Sequence, residues 1–329
     1  MLAVAWAVAF PGVVGCRESA PSVTVLCSVD ESFIDAVLKP FERKTGIVVR
    51  AVTDSEASKT TGLLSRIRAE GEHPRADVLF SSEIFGTIEL ANQGFLESYD
   101  SPAAADLPPA FRDPKHRWAA IGLRGRVIAY DPTRVDAESL PRDWESFGQP
   151  QWASRLAIAN PLFGTTRGHV AAMFAIWGPD RARSFLRSLR DHGALILGSN
   201  SATVRAVRSG RADLCVTDTD DVFVARRDGA SLAMIYPDMG AGGTLWIPCS
   251  VAILKNCPHP DQARQLVDYL LSPPVEITLA RSPSQNVPVR PNVARVAYIQ
   301  APRIPRFDYE KIAASLPVSE SAVRDILLR

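Results

Sequence analysis

The sequence has few residues that could build a metal site from sulfur or imidazole ligands. It contains five cysteines and five histidines in 329 residues, and no two cysteines form a CxxC motif. The one histidine close to a cysteine is His259, beside Cys257. These spacings exclude the common zinc motifs. In an exported protein Cys249 and Cys257 are far enough apart to form a disulfide, and the alternative is two buried thiols.

An excess of charge and the common catalytic motifs are also missing. Lys and Arg number 37 against 36 Asp and Glu, which gives a net charge of +1. Such a chain has no general field to attract nucleic acid or an anionic membrane. No GxSxG, P-loop, GxGxxG or HExxH motif occurs, so the motifs indicate no enzyme. The mean hydropathy of 0.00 and the 46% of hydrophobic residues exclude a disordered chain and a polytopic membrane protein.

The first 22 residues have the pattern of an export signal. Residues 2–14 form an apolar run that is too short to span a membrane. The run leads into Gly15 and Cys16, and Val13-Val14-Gly15-Cys16 looks like a bacterial lipobox. We therefore predict a lipoprotein signal peptide over residues 1–16, lipidation of Cys16 and a polar tether over residues 17–22. The only contact with the membrane would then be the lipid anchor.

The remainder of the chain alternates predicted strands and helices. Strands are predicted at residues 22–27, 47–52 and 76–80, with helices between them that end at Gly46 and Gly71. This β-α-β-α-β order predicts an α/β fold with a parallel sheet and helices on both of its faces. The pattern continues to about residue 290, and a Pro-punctuated tail ends in a helix over residues 319–328.

Five polar loops follow predicted strands or precede predicted helices. They are residues 28–31, 81–83, 160–166, 198–201 and 217–221. Each loop alone would be an ordinary helix cap. Together they are expected to surround one crevice, since ligands bind beyond the carboxyl ends of parallel strands. Arg124 and Arg126 share one strand and are expected to face opposite sides of it, so that one reaches an anion while the other forms a surface ion pair.

The acidic loop is the most distinctive of the five. Asp218, Asp220 and Asp221 lie within four residues and repel one another unless a cation, a helix N-terminus or backbone donors compensate them. One interpretation is a site for a hard cation or a polyamine. The other is a helix capped by Asp218 or Thr219, with Asp220 and Asp221 in its first turn. The loops at Gly164, Thr165 and Thr166 and at Asn200 offer hydroxyls and amides suited to an anion.

Several of these segments resemble the bacterial extracellular solute-binding proteins of iron(III)-type ABC transporters. The resemblance rests on residues 76–80 with Glu83, residues 124–130, residues 160–166, Ser199-Asn200, residues 217–221 and residues 243–245. It covers about residues 22–290. It implies two α/β lobes of the periplasmic-binding-protein type, joined by two crossing strands near residues 119–126 and 238–247, with the ligand in the cleft between them.

The resemblance also implies lobe boundaries and a ligand set. Lobe 1 would comprise residues 23–120 and 243–290, lobe 2 residues 121–242, and residues 291–329 would pack on the lobes. Ferric-binding members have two adjacent tyrosines where this chain has Asp220 and Asp221. The implied metal ligands are therefore the carboxylates of Asp30, Glu83, Asp220 and Asp221. The implied anion loop contains Gly164, Thr165, Thr166 and Asn200, with Asp218 beside it.

The predicted function is that of a monomeric, lipid-anchored receptor on the periplasmic or outer side of the membrane. It would bind iron(III) or another hard metal ion as its solute, with a companion anion, and deliver it to an ABC permease in the inner membrane. No resident cofactor and no nucleic acid are expected. The alternatives are a receptor for a phosphorylated, phosphonate or polyamine solute, and a cleft enzyme on the same fold. A ligand-sensing regulator would need a DNA-binding region where the lipobox lies.

Lipidation of Cys16 gives a direct test of the N-terminal prediction. Cells expressing the protein and grown with a clickable fatty acid are expected to yield a labelled protein. Cys16→Ser removes the only thiol at the lipobox, so this variant is expected to remain unlabelled. Equal labelling of the two proteins would contradict the prediction.

Overall fold

A computed structural model of the chain describes residues 20–29, 31–53, 61–297 and 304–328. Cys16 and Asp30 lie outside these residues. In the described part of the chain, no helix combines the length and apolar character needed to cross a membrane.

The strands alternate with helices as the sequence pattern predicts. The strands are β1 (Ser22–Cys27), β2 (Val48–Thr53), β3 (Val78–Ser81), β4 (Ala119–Tyr130), β5 (Leu156–Ala159), β6 (Leu195–Leu197), β7 (Leu214–Asp218), β8 (Ala233–Ile235) and β9 (Trp246–Ile253). The helices are α1 (Glu31–Thr45), α2 (Thr61–Glu70), α3 (Phe85–Asn92), α4 (Pro150–Ala153), α5 (Gly164–Trp177), α6 (Pro179–Asp191), α7 (Asn200–Arg208), α8 (Thr219–Arg227), α9 (Pro260–Leu270), α10 (Pro273–Arg281), α11 (Pro291–Val296), α12 (Tyr309–Ala314) and α13 (Leu316–Ile326). Proline at the first helical position begins α6, α9 and α10, where its missing N–H has no partner to lose.

The long strand β4 is shared by two groups of strands. Its first half pairs with β9 in a group ordered β2-β1-β3-β9-β4, and its second half pairs with β7 and β8 in a group that continues to β5 and β6. β4 therefore carries the chain from one α/β unit to the other, and the chain returns just before β9. This is the two-lobed α/β architecture that the sequence predicts; the exact lobe boundaries remain a prediction.

The sheet is mixed, which corrects the prediction of a parallel one. β1 pairs in parallel with β2 and β3, and β5 pairs in parallel with β6 and β7. β9 runs antiparallel to β3 and β4, and β4 runs antiparallel to β7. The reason is that β4 crosses from one unit to the other and β9 follows the return crossing, so their directions are set by the crossings rather than by β-α-β repeats.

A bulge interrupts the β4–β9 pairing between Ala120 and Leu123. Gly122 lies at this point with φ of +69°, and a Cβ there would lie 3.3 Å from the Cβ of Asn286. Both facts favour glycine, since a left-handed backbone strains other residues. The bulge precedes Arg124 and so helps to set where its side chain lies.

Helices from both units meet the C-terminal helices in one continuous core. α12 contacts α3 and α5, and α13 contacts α5 and α6. Arg167 on α5 forms ion pairs with Glu89 on α3, at 2.9 Å, and with Glu320 on α13, at 2.6 Å. Tyr309 donates a hydrogen bond to the carbonyl oxygen of Trp246 at 2.8 Å. The helices α12 and α13 therefore contact helices of both units, and Tyr309 links α12 to strand β9.

The contact between α3 and α5 leaves no room for a side chain at Gly168. A Cβ added there would lie 2.1 Å from Phe85 Cδ2, and the Phe85 ring is fully buried. Gly168→Ala is therefore expected to destabilise the protein by about 1–3 kcal/mol, although alanine normally favours a helix. Urea unfolding followed by circular dichroism measures the change.

The smaller side chain in Phe85→Leu should relieve this clash. In the Phe85→Leu background, Gly168→Ala is expected to cost much less than in the wild-type background. Equal costs in both backgrounds would mean that Phe85 is not the obstacle.

Candidate functional site

A pocket of about 570 Å³, partly open to solvent, lies where β4 passes between the two groups of strands. It is lined by Ser82 after β3, Arg124 on β4, residues at the starts of α5 and α7, and Asp218, Asp220 and Asp221 at the start of α8. Four of the five polar loops predicted to surround one crevice therefore do so. From the fifth loop, Val29 lines a smaller adjoining cavity that Arg124 and Asp220 also line.

The three aspartates of the acidic loop come together in this pocket. Carboxylate oxygens of Asp218, Asp220 and Asp221 lie within 4.8 Å of one another. Asp218 is the N-cap residue of α8, and Asp220 and Asp221 lie in its first turn. The capping alternative therefore describes the local backbone correctly. It leaves open which positive charges offset the three carboxylates.

Two arginines offset two of the three carboxylates, a contribution that the sequence interpretation did not include beside the cation, the helix N-terminus and the backbone donors. Arg126 Nη1 lies 2.7 Å from Asp218 Oδ1, and Arg124 Nη1 lies 2.9 Å from Asp220 Oδ2. The expected surface ion pair is wrong, since Arg126 is fully buried and Arg124 is 9% exposed. Side chains two residues apart on a strand point to the same face, so both arginines reach the acidic loop.

Asp218 also binds two of the residues predicted to hold an anion. Thr165 Oγ1 donates to Asp218 Oδ2 at 2.6 Å, and Asn200 Nδ2 donates to the same oxygen at 2.9 Å. Arg126 Nη2 donates to Thr166 Oγ1 at 3.2 Å. These side chains connect α5, α7 and β7 to one another.

The backbone at the start of α5 is the better candidate for anion contact. α5 begins at Gly164 after Phe163, and no side chain caps it. The first amides of a helix have no partner within the helix, and the helix dipole favours negative charge beside them. α7 differs, because Ser199 Oγ accepts the hydrogen bond of Ala202 N at 3.1 Å.

The environment of Arg124 keeps it charged. Its Nη2 donates to Cys249 Sγ at 3.0 Å. Burial alone lowers the pKa of the guanidinium, but the nearby negative charge of Asp220 and Asp218 outweighs burial, and the pKa lies well above its usual value. Cys249 and Cys257 are both free thiols; Cys249 is buried and Cys257 is partly exposed, so the alternative of a buried thiol holds for Cys249.

The Asp221 side chain mainly caps its own helix, α8. Its Oδ2 accepts a hydrogen bond from Thr217 Oγ1 at 2.8 Å and one from Asp218 N at 3.4 Å. An acidic N3 side chain that bonds back to the N-cap amide is part of a capping box. Asp221 still lines the pocket. Of the four predicted metal ligands, Asp220 and Asp221 are the two that the described structure brings together.

Glu83 is buried away from this group and caps α3. Its Oε2 accepts from Phe85 N at 2.6 Å, and its Oε1 accepts from Gly86 N at 3.1 Å. Burial raises the pKa of Glu83 to about 7 against the attraction of Arg167. Glu83 is not among the residues that line the pocket. Its role as a metal ligand remains a prediction, and so does that of Asp30, which lies outside the described residues.

The sequence interpretation placed Ser82 in a loop of the crevice but gave it no ligand role, and it missed the pairing of both arginines with the aspartates. The spacing of Arg124 and Arg126 was the available signal, because it places both side chains on one face of a strand. His169 is fully buried with its ring 4.3 Å from that of Trp144. It packs against Trp144 and is not among the residues that line the pocket.

A pocket at the crossing between two α/β units, with helix N-termini directed at it, defines a two-lobed solute-binding fold. The family model for "Bacterial extracellular solute-binding protein" matches residues 74–311. The chain belongs to this family, as the sequence resemblance predicts.

Relatives and solved structures agree with the family assignment. The chain is 25% identical over 297 residues to the major ferric iron-binding protein of Neisseria meningitidis, covering 86% of this chain and 87% of that protein. It is 25% identical to iron uptake protein A1 of Synechocystis, covering 74% of this chain and 69% of that protein. The iron-bound HitA structure from Pseudomonas aeruginosa is 26% identical with a TM-score of 0.79, covering 93% of this chain and 99% of that one.

The raised pKa of Glu83 predicts a specific pH dependence of stability. Between about pH 4.5 and 7 the folded protein holds a proton that the unfolded chain has lost, so stability falls as the pH rises through this window. Glu83→Gln keeps an acceptor oxygen and cannot ionise. Above pH 7 it is expected to be more stable than the wild type by up to about 3 kcal/mol, with the difference disappearing near pH 4.5.

Urea unfolding of the ligand-free proteins across pH 4.5–8 measures the difference. Glu138→Gln is the control, because the Glu138 side chain is 86% exposed. If the stability of the wild type and of Glu83→Gln changed with pH in parallel, the raised pKa of Glu83 would be contradicted.

Proposed function

We propose that this protein is the solute receptor of an ABC importer and that its cleft binds iron(III) together with a companion anion. The observation that carries the proposal is the pocket itself, which combines carboxylate oxygens with an uncapped helix N-terminus. Carboxylates are suited to a hard cation, and the amides of α5 to an anion. The relatives named for ferric iron binding support the choice of metal.

The receptor would be exported, anchored through Cys16 and paired with a permease in the inner membrane. A receptor is favoured over a cleft enzyme, because neither a histidine nor a cysteine is among the described residues that line the pocket. The pocket hydroxyl of Thr165 donates to Asp218, a carboxylate already paired with Arg126. Because Arg126 offsets the charge of Asp218, this carboxylate is poorly suited to take the Thr165 proton as a general base.

A phosphorylated or phosphonate solute is the second candidate, and the two arginines favour it. Arg126 and Arg124 already neutralise Asp218 and Asp220. The negative charge left for a cation is therefore smaller than the three aspartates suggest, while the start of α5 still suits an anion. In this alternative the phosphoryl oxygens contact the α5 amides and no metal is required.

Thermal unfolding with three probes distinguishes the candidates. Ferric citrate, inorganic phosphate and fructose 6-phosphate are added separately to the purified protein. We expect ferric citrate to raise the Tm by several degrees, because a ligand that binds only the folded state stabilises it. A rise with fructose 6-phosphate alone would favour the second candidate. No rise with any probe would contradict both.

The double variant Asp220→Asn, Asp221→Asn tests the carboxylates. The ferric-citrate shift is expected to disappear. The unliganded Tm is also expected to fall, because Arg124 loses its counter-charge and α8 loses a capping interaction. Asp261→Asn removes a first-turn acid from α9 with a side chain that is 80% exposed, so it is the matched control and should retain the shift. A shift that survives in the double variant would exclude these aspartates as ligands.

A further inference from the structure

Arg124 is the positively charged side chain that lines the pocket beside the acidic loop. Its Nη1 contacts Asp220 at 2.9 Å and its Nη2 contacts Cys249 Sγ at 3.0 Å. Its Nε is buried and donates to no other atom of the described residues. Arg124 therefore engages both Asp220 and Cys249 while it borders the pocket.

Arg126 has a different position although it lies on the same strand face. It is fully buried, and its Nη atoms contact Asp218, Thr165 and Thr166. It joins β4 to β7 and α5 as part of the framework and does not line the pocket. Of the two arginines, Arg124 is therefore the one that a solute meets.

A cation that binds Asp220 must lie close to this guanidinium. Oxygen ligands hold hard cations at roughly 2.0–2.6 Å. An ion bound to Asp220 Oδ2 therefore lies no more than about 5.5 Å from Arg124 Nη1. For a trivalent ion, one positive charge at this distance is expected to weaken binding roughly fiftyfold even with water-like screening, and more in a buried site.

We propose that Arg124 is a specificity-determining residue that occupies the Asp220 carboxylate as a tethered cation. The pocket then rejects a bare trivalent cation and admits one only with an anion that offsets the guanidinium. This inference rests on the proposed receptor function. It makes metal binding dependent on the anion, and it assigns the dependence to one side chain.

Titration with terbium(III) chloride alone, at pH 6 in a buffer free of phosphate and carboxylates, tests the proposal. Terbium(III) is a hard trivalent cation, and isothermal titration calorimetry gives its affinity. Arg124→Gln is expected to bind terbium at least about fiftyfold more tightly than the wild type. Arg124→Lys retains the charge and is expected to show no such gain. Arg181→Ala, at an exposed ion pair with Glu145, is the control for loss of an arginine.

A further variant locates the gained affinity. In Arg124→Gln, Asp220→Asn the gain is expected to disappear, because the carboxylate freed by the first change is removed by the second. A gain that persists would place the new site elsewhere and overturn the proposal. So would equal terbium affinities for the wild type and a folded Arg124→Gln, with folding judged by circular dichroism.

Asp220→Asn alone provides a test that does not depend on the folding of Arg124→Gln. Because Arg124 already engages Asp220, this change is expected to alter the terbium affinity of the wild type less than threefold. A loss of tenfold or more would show that Asp220 binds cations beside Arg124, and would overturn the proposal. The receptor function is judged separately by the ferric-citrate shift, so the two can fail independently.

Discussion

The buried ion pair between Arg126 and Asp218 is the interaction on which the site depends. Register places these residues opposite each other on β4 and β7, and both side chains are essentially inaccessible to solvent. A buried pair is tolerable only when its remaining hydrogen-bonding capacity is satisfied. Thr165 and Asn200 do this for Asp218 by donating to it, whereas Arg126 Nε has no partner among the described residues. The pair thereby fixes the starts of α5, α7 and α8 around one pocket.

The second pair, Arg124 with Asp220, has a different consequence because it borders the pocket. A carboxylate cluster that would otherwise attract any hard cation is partly neutralised by the protein's own side chains. The acidic loop is therefore a poor guide to the sign of the ligand's charge. The uncapped start of α5 and the donors of Arg124 add positive character beside the aspartates. A solute that carries both charges, such as a metal ion with its anion, suits this arrangement.

The continuous core behind the crossing limits how the two units can move. α3 and α5 meet at Phe85 and Gly168 without space for a methyl group, and α12 and α13 cover this contact. Arg167 connects α3, α5 and α13 through Glu89 and Glu320. A rotation of one unit against the other has to preserve this packing, since close-packed interiors resist deformation. Motion of the pocket is therefore expected to concentrate in β4 and in the segment before β9.

The sequence by itself determined the alternating elements, the helix boundaries marked by Gly46 and Gly71, and the polar loops of the pocket. These are local properties, set by hydrophobic periodicity and capping chemistry, and the family resemblance added the two-lobed arrangement. The sequence missed α12, where a short helix follows a Pro-rich stretch with little periodicity. Only the tertiary structure decided that β4 and β9 run antiparallel to their neighbours, that Glu83 caps α3, and that Arg124 and Arg126 neutralise the acidic loop. The physical reason is that an ion pair between residues about 90 positions apart depends on strand register, which no local pattern encodes.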